Sequence, residues 1–306
     1  MPRENIEFKT KDGVTLRGWF YTPETAVQNS APLPCIVMIH GFSAVKEMGL
    51  DSFARYFVAK LPISCIVYDH RGFGASDTRE GQPRQEAIPT EQIDDVSDAV
   101  SYAQSRKDVD EERIAVWGNS YGGGHVVSVA AKDRRVKAVL AQVPFISGSR
   151  MLARHKPEVG NMLNDLFSQD RLARAEGKAP AVIPSTSLDP SVVSVLSTPD
   201  AYEYFTTWGK KSPFKNEVTL RSFEHLTRYE PYDVFPKVSP TPFLLTVGGG
   251  DMVTPPEFAL SAFEQAGEPK ELHVLESCGH FEANSGEQFE KNVEKQIDFL
   301  KRKLLA

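Results

Sequence analysis

The sequence predicts an α/β protein: a mostly parallel, doubly wound sheet carrying a mainly helical insertion. Three observations predict it. Short apolar runs alternate with helix-period stretches through the first half, the pattern of repeated βαβ units. Those runs are apolar at nearly every position, as in Cys35-Ile-Val-Met-Ile39, which a strand shows when helices cover both faces of its sheet. The rhythm then breaks for about ninety residues after Phe145 and resumes at Val238; a structureless loop of that length does not suit a compact fold.

Asp12-Gly13 lies between two strand-like stretches, 6–10 and 14–21. Asp-Gly at such a place signals a hairpin, so the chain is expected to open with an antiparallel edge. A loop rich in Pro and polar residues is expected over 22–34. The buried strand 35–39 then ends at His40-Gly-Phe-Ser43. Leu50, Phe53, Tyr56 and Phe57 recur near helical spacing across 49–60, and Pro62 bounds that helix. The next strand, 63–68, runs into Asp69-His-Arg-Gly-Phe-Gly-Ala-Ser-Asp77, whose glycines imply a tight loop. A helix is expected over 90–106, with Thr90 as its N-cap and Ile93, Val96, Ala99, Val100 and Ala103 as its apolar face. Strand 114–117, helix 122–131 and strand 136–143 follow, the last closed by Pro144.

Inside the insertion, 151–155, 160–168, 171–176, 201–208 and 218–228 have helical character, whereas 180–184 and 187–192 look irregular. The insertion is assigned to 146–237 and read as a helical cap after the sixth core strand. Segments 1–145 and 238–306 are then two parts of one core. The core resumes with strand 242–247 and a helix over 257–265, which has proline at its start and Gly267 as its stop. Strand 271–275 and an amphipathic helix over 288–305 complete it.

A chain of 306 residues is long enough for one large domain with an insertion. The net charge of −6 argues against a nucleic-acid or anionic-membrane partner. No run of about eighteen apolar residues is present. The cysteine count is odd, and Cys35 and Cys65 fall in expected core strands, so they read as buried thiols in a reducing compartment, with Cys278 the third. The opening Met-Pro-Arg-Glu-Asn has no basic-then-apolar leader, and a cytoplasmic protein is expected. The basic end Lys301-Arg-Lys303 reads as a solvated helix terminus, where positive charge is favourable.

The chemistry centres on Arg113-Ile-Ala-Val-Trp-Gly-Asn-Ser-Tyr-Gly-Gly-Gly124. An apolar strand runs into a serine flanked by glycines and then into a small-residue helix. This is a G-x-S-x-G nucleophile elbow in strand–turn–helix context. Ser120 must sit on a tight, strained turn, and Gly118 and Gly122 let strand and helix pass closely. A serine so placed needs a base, and the base needs a carboxylate. The chain order for this architecture is serine, acid, histidine, which points to Ser120, Asp251 and His280. Both partners follow apolar strands, at the strand ends where open α/β sheets bind ligands.

The other histidines have structural readings. His40 shapes the loop after the first core strand, His70 braces a tight loop, His125 lies on the nucleophile helix and His273 lies within a strand; His155 and His225 belong to the insertion and could touch substrate. Asp69 also ends a strand, but it precedes the serine, and Arg71 nearby suggests a loop-bracing ion pair. The structural alternative for Asp251 is capping of the helix that begins near Pro255-Pro256.

The oxyanion hole is expected from main-chain N–H groups of Tyr121 and of Phe42, with Ser43 as the second choice on that loop. The insertion is rich in aromatics, so a largely apolar slot with a few polar handles is expected. Ser43, Phe145, Tyr204, Trp208, Tyr229 and Met252 are its expected wall residues. The chemistry calls for no metal or organic cofactor: serial cysteines of a metal site are missing, and no G-x-G-x-x-G opens a βαβ unit.

With the elbow, the His40-Gly-Phe-Ser43 loop, the aspartate after a core strand and the late Gly279-His280 in place, the chain resembles the α/β-hydrolase superfamily over nearly its whole length outside the insertion. More narrowly, Pro2-Arg-Glu-Asn-Ile-Glu-Phe-Lys-Thr-Lys-Asp-Gly-Val-Thr-Leu-Arg-Gly-Trp-Phe20, Val67-Tyr-Asp-His-Arg-Gly-Phe-Gly-Ala-Ser-Asp77 and Trp117-Gly-Asn-Ser-Tyr-Gly-Gly-Gly124 are similar to the fungal secondary-metabolism hydrolases called polyketide transferases. That group in turn resembles bacterial peptidase-like and dienelactone-hydrolase-like proteins. The resemblance implies a thioesterase-like enzyme that takes an acyl chain from the carrier thioester of a polyketide synthase onto Ser120. The chain is then passed to water or to a hydroxyl. An acyl carrier domain is the protein partner it implies, and an ester or thioester the substrate. Other outcomes stay open: a carboxylesterase or lactonase on small apolar esters, a C–C bond cleaving relative, or a catalytically silent member of the fold.

Overall fold

The computed structural model describes residues 2–24 and 31–306; part of the loop expected over 22–34 lies outside them. The chain opens with β1 (Arg3–Lys9) and β2 (Thr15–Tyr21), paired antiparallel across the Asp12-Gly13 turn. Gly13 adopts φ 87°, a conformation glycine enters without steric penalty. Next come β3 (Leu33–Ile39), α1 (Leu50–Lys60), β4 (Ser64–Tyr68), α2 (Pro89–Ser105), β5 (Val109–Asn119), α3 (Tyr121–Ala130) and β6 (Val136–Gln142). Helix α2 starts a residue earlier than expected: Ile88 is the N-cap and Pro89 takes the first position, so Thr90 is already inside. Proline suits that place because its missing N–H would be unpaired there anyway.

Between β6 and the next core strand lie α4 (Gly148–Leu152), α5 (Pro157–Ala175), the two-residue strands β7 (Val182–Ile183) and β8 (Val218–Thr219) with α6 (Pro199–Gly209) between them, α7 (Leu220–Leu226) and a 3-10 turn at Pro231–Lys237. The stretches 160–168 and 171–176 belong to one helix, not two. Asp170 holds the polar join, accepting from Arg174 one turn on and from the Ala181 amide. Part of the stretch expected to be irregular, 180–184, pairs with β8. The two ends of the segment meet: Tyr232 N donates to Ile146 O, and Gly148 N to Tyr229 O, each at 2.8 Å. The core resumes with β9 (Phe243–Gly248), α8 (Pro256–Gln265), β10 (Lys270–Leu275) and α9 (Gly286–Lys303).

Eight strands form one sheet in the order β1-β2-β4-β3-β5-β6-β9-β10. Every pairing from β4 to β10 is parallel, and β2 alone runs opposite to the direction the other seven strands share. The alternation of β5 shows the layers. Ile114 and Val116 face α2, α3 and α8; Ala115 and Trp117 face α1 and α9. All four are fully buried, and complete burial of a large apolar side chain contributes about 1.5–3 kcal/mol. The winding reverses between β3 and β5, so their carboxyl ends flank a crevice at the switch point. No helix among the described residues is long and apolar enough to cross a membrane.

Candidate active site

Ser120 stands at that crevice, on the one-residue turn between β5 and α3. Its backbone takes φ 56° and ψ −120°, a conformation that is costly for a residue with a Cβ. Local packing holds it there. Ser120 N donates to Gln142 O at 2.9 Å, and Ser120 O accepts from Phe145 N at 2.9 Å. The neighbouring glycines are sterically required: a Cβ on Gly118 would lie 2.2 Å from Gly122 O, and one on Gly122 would lie 2.6 Å from His40 O. The chain thus passes from strand to helix with no room for side chains on either flank of the serine.

The structure brings the three expected catalytic residues together. His280 Nε2 lies 3.0 Å from Ser120 Oγ, and His280 Nδ1 lies 2.7 Å from Asp251 Oδ2. Asp251 and His280 are at most 3% exposed. A carboxylate accepts only, so His280 carries its proton on Nδ1 and offers the Nε2 lone pair to the serine hydroxyl. Asp251 Oδ1 accepts from the amides of Val253 and Thr254, both at 2.8 Å. Burial raises the Asp251 carboxyl, but the charge and hydrogen bond of His280 and the donors of Thr254 outweigh it and hold it below the ordinary range. Asp251 therefore turns its own loop and faces the histidine with the same carboxylate.

Thr254 is a member of this group that the sequence reading missed. Its Oγ1 lies 2.8 Å from Asp251 Oδ2, 3.0 Å from Val143 O and 3.1 Å from His280 Nδ1. The signal was faint: a threonine three residues after the acid, just before two prolines.

Tyr121 opens α3, and Phe42 follows the close approach of Gly41 to Ser120, where an added Cβ would lie 3.2 Å from the serine Cβ. Among the described residues neither amide finds an acceptor, as an oxyanion hole requires. Their rings meet edge to face at 5.3 Å. The loop beyond Phe42 is clamped by Asp69, which accepts from Lys46 N at 2.8 Å, Lys46 Nζ at 2.7 Å and Ala75 N at 2.9 Å. The ion pair expected between Asp69 and Arg71 does not form. Arg71 turns instead to Asp95 and Asp12, where it finds two carboxylates in fork geometry.

Ser120 and His280 lie on the floor of a cavity of about 730 Å³. Phe42, Tyr121, Phe145, Tyr204 and Met252 are on its wall; Met252, 66% exposed, stands at the rim. Ser43, Trp208 and Tyr229 are not among the lining residues. Ser43 is buried at φ 54° with its hydroxyl turned into the protein. Trp208 lies one helical turn beyond Tyr204 and packs behind it at 6.2 Å. Tyr229 lies under Phe145, ring on ring, and gives its hydroxyl to His125 at 2.7 Å. His155 reaches the wall, whereas His225 faces a separate crevice beside Arg171, Arg174, Arg221 and Arg228.

Much of the roof comes from 187–198, a twelve-residue strap with every member on the cavity. Its serines and valines show no period, so sequence reasoning had only the apolar run Val192-Val-Ser-Val-Leu196 to go on. His40, His70 and His125 lie behind the floor, at most 1% exposed, with rings 4.4 and 5.5 Å apart in succession. Burial lowers all three, His125 to about 3. Among the described residues no three His, Cys, Asp or Glu side chains gather as metal ligands.

Comparison with known proteins gives concordant results. The model of the alpha/beta hydrolase fold family matches residues 34–282. A polyketide transferase, grgF, of a Penicillium species is 33% identical over 99% of this chain and 97% of its own. A quorum-quenching protein, AidA, of Acinetobacter baumannii is 35% identical over 97% of this chain and 94% of its own. The crystal structure of the alpha/beta hydrolase GrgF from Penicillium sp. sh18 superposes with a TM-score of 0.86 at 31% identity, covering all of both chains.

Proposed function

This chain belongs to the α/β-hydrolase fold family, and from that membership and the site geometry we propose a serine-dependent acyl transferase or thioesterase. Its substrate is a polyketide-type acyl chain held as a thioester on a carrier domain. The observation that carries the reading is the unbroken path from Asp251 through His280 to Ser120, 2.7 and 3.0 Å, on the floor of a large, mainly apolar cavity. The segment 146–237 acts as the lid that covers it.

The Ser120 hydroxyl attacks the thioester carbonyl while its proton passes to His280 Nε2. The amides of Phe42 and Tyr121 hold the oxyanion, each donor supplying about 2.7–4 kcal/mol in comparable sites. Asp251 steadies the imidazolium. That imidazolium returns its proton to the departing sulfur as the C–S bond breaks, leaving acyl-Ser120. Water or an alcohol then attacks under the same base, its proton going to His280 and then to Ser120 Oγ. The chemistry of the triad serves hydrolysis and transfer alike; water exclusion by the lid and the seat of the acceptor decide between them.

The test is an intact-mass time course with a mid-length acyl thioester, with and without an alcohol, beside Ser120→Ala. An adduct on the native chain and none on the variant supports acyl-Ser120. Collapse of that adduct only with the alcohol marks a transferase; immediate release of free acid marks a hydrolase. Absence of both adduct and turnover across several acyl groups, with no labelling by a serine-directed phosphonate, would overturn the mechanism. A lactone belongs in the same panel, because a relative at 35% identity is a quorum-quenching protein and a lactone carbonyl meets the same nucleophile.

A further inference from the structure

A buried file of side-chain amides runs from the last helix to the cavity floor. Trp117 Nε1 donates to Gln296 Oε1 at 2.8 Å. An indole nitrogen can only donate, so this contact decides which end of Gln296 is oxygen. Gln296 Nε2 then donates to Gln142 Oε1 at 3.0 Å and to Asn292 Oδ1 at 2.7 Å. Asn292 is fixed a second time, because its Nδ2 donates to the Ala283 carbonyl at 3.2 Å as well as to Gln142 Oε1 at 2.6 Å. Gln142 Nε2 is therefore the donor of its amide, and it reaches Asn119 Oδ1 at 3.0 Å and Asn284 Oδ1 at 2.8 Å. The direction carries to the end of the file: Asn119 and Asn284 both accept through oxygen, which leaves their N–H₂ groups free of the file.

Asn284 Nδ2 ends up buried with no partner among the described residues. Asn119 ends differently. It immediately precedes Ser120, keeps 9% exposure and lies on the cavity wall. Two residues on from Trp117, it leaves β5 on the face covered by α1 and α9. Ala44, Met48, Tyr204 and Phe281 pack together as an apolar bay of the same cavity, and Asn119 adds a polar donor to that lining. Among the described residues no acceptor faces Asn119 Nδ2.

We infer that Asn119 is a specificity residue whose N–H₂ group donates to an oxygen on the acyl chain, a few bonds from the reacting carbonyl. The site then favours 3-oxo acyl chains over saturated ones. This rests on the acyl-Ser120 reading of the site. A saturated chain in the bay strips water from the donor and gives nothing back, a penalty that sites built to hydrogen-bond impose on analogues lacking the partner. The orientation matters: a reversed amide would present oxygen and repel the same carbonyl, and the Trp117 indole at the far end of the file prevents that reversal.

The experiment compares saturated and 3-oxo thioesters of one chain length and one thiol, by kcat/KM, for the native chain, Asn119→Ala and Asn119→Asp. Asn119→Asp retains the oxygen that Gln142 needs and turns an acceptor into the bay. The native chain is expected to favour the 3-oxo substrate roughly tenfold, the worth of one buried hydrogen bond. Both variants should lose most of that preference, and a ratio is insensitive to any general loss of activity. An unchanged ratio in both variants overturns the assignment; so does a preference that follows the thiol when an amide-bearing thiol replaces a plain one. Should the native chain turn over neither thioester, phosphonate labelling of Ser120 decides the acyl-Ser120 reading, and calorimetric titration with the matching unreactive carboxamides separately decides the inference. Tighter binding of the 3-oxo amide by the native chain but not by Asn119→Asp supports it, and equal binding overturns it.

Discussion

Thr254 Oγ1 lies 3.0 Å from the carbonyl of Val143, joining the acid loop to the strand end beside the nucleophile. Val143 takes φ 38°, a value that a β-branched residue adopts only under constraint and at about 1–3 kcal/mol. The turn it makes sends Pro144 against α3 and puts the Phe145 amide on Ser120 O. One strained residue thus positions the acid on one side and the serine on the other.

Thr254→Val removes the single hydroxyl proton that Asp251 Oδ2 and Val143 O share. We expect kcat to fall roughly 10–100-fold, the worth of a hydrogen bond to a charged group, with KM within about twofold and most of the rate restored in Thr254→Ser. Asp251 is held below the ordinary carboxylate range in part by this hydroxyl. Activity that depends on ionised Asp251 is present above its folded pKa and lost as pH falls through it. Removing the donor weakens the hold on that carboxylate; a kcat within twofold of native in Thr254→Val would count against the assignment.

Asp69→Ala leaves the ammonium of Lys46, only 5% exposed at its side chain, buried without its main partner. Breaking a buried pair from one side destabilises by about 3–5 kcal/mol. The expected result is a lower urea midpoint together with a loss of kcat, because the same carboxylate holds the loop that carries Phe42. Asp69→Ala/Lys46→Met should recover much of the stability and little of the rate; full recovery of rate would separate the clamp from the oxyanion loop.

Gly118→Ala puts a methyl 2.2 Å from the Gly122 carbonyl oxygen and 2.8 Å from Gly123 N, all backbone atoms that cannot move aside as a side chain would. We expect poorly folded protein or a loss of more than about 3 kcal/mol, with little phosphonate labelling of Ser120. Gly160→Ala, where nothing lies within 4 Å of an added Cβ, is the matched control and should be stable and active. Near-native labelling in Gly118→Ala would contradict the packing account of the elbow.

His125 is buried between Tyr229 and Gln92, beside Tyr121 and His70, with its pKa pushed down to about 3 by burial. His40 is a further titratable neighbour that lowers it. The unfolded chain takes up this proton near pH 6.5, whereas the folded one refuses it down to about 3. The folded state is thus favoured above pH 6.5 and loses up to about 1.4 kcal/mol per pH unit below it from this residue. Urea unfolding of the native chain and of His125→Gln, at pH 7.5 and pH 5, should show a smaller acid loss in the variant. Parallel losses would mean that His125 is protonated in the folded state.

The sheet and the three catalytic candidates were legible because each has a local signature. Unbroken apolar runs mark strands covered on both faces, and a serine between glycines at a strand end admits few backbones. Ser43, Trp208 and Tyr229 were misplaced for a different reason. Composition says that an aromatic-rich segment packs on something, but not which rings reach the solvent side; Tyr204 and Trp208 are one turn apart on α6, and only the first meets the cavity. Arg71 beside Asp69 in sequence suggested a pair that geometry gives to Lys46, twenty-three residues earlier. The amide file behind Asn119 spans β5, β6 and α9, and no stretch of sequence displays such an association.

The hydrogen bonds between Ile146 and Tyr232 and between Gly148 and Tyr229 give the roof of the cavity a narrow neck. On either side of it, β6 and β9 are already adjacent in the sheet. The strand pairing below such a neck makes no demand on what lies above it, and closure entropy grows only slowly with the length enclosed. Residues above the neck can be exchanged, lengthened or shortened as a cassette while serine, acid and histidine keep their places. The size and lining of the cavity can then change without the crevice that holds Ser120 being rebuilt.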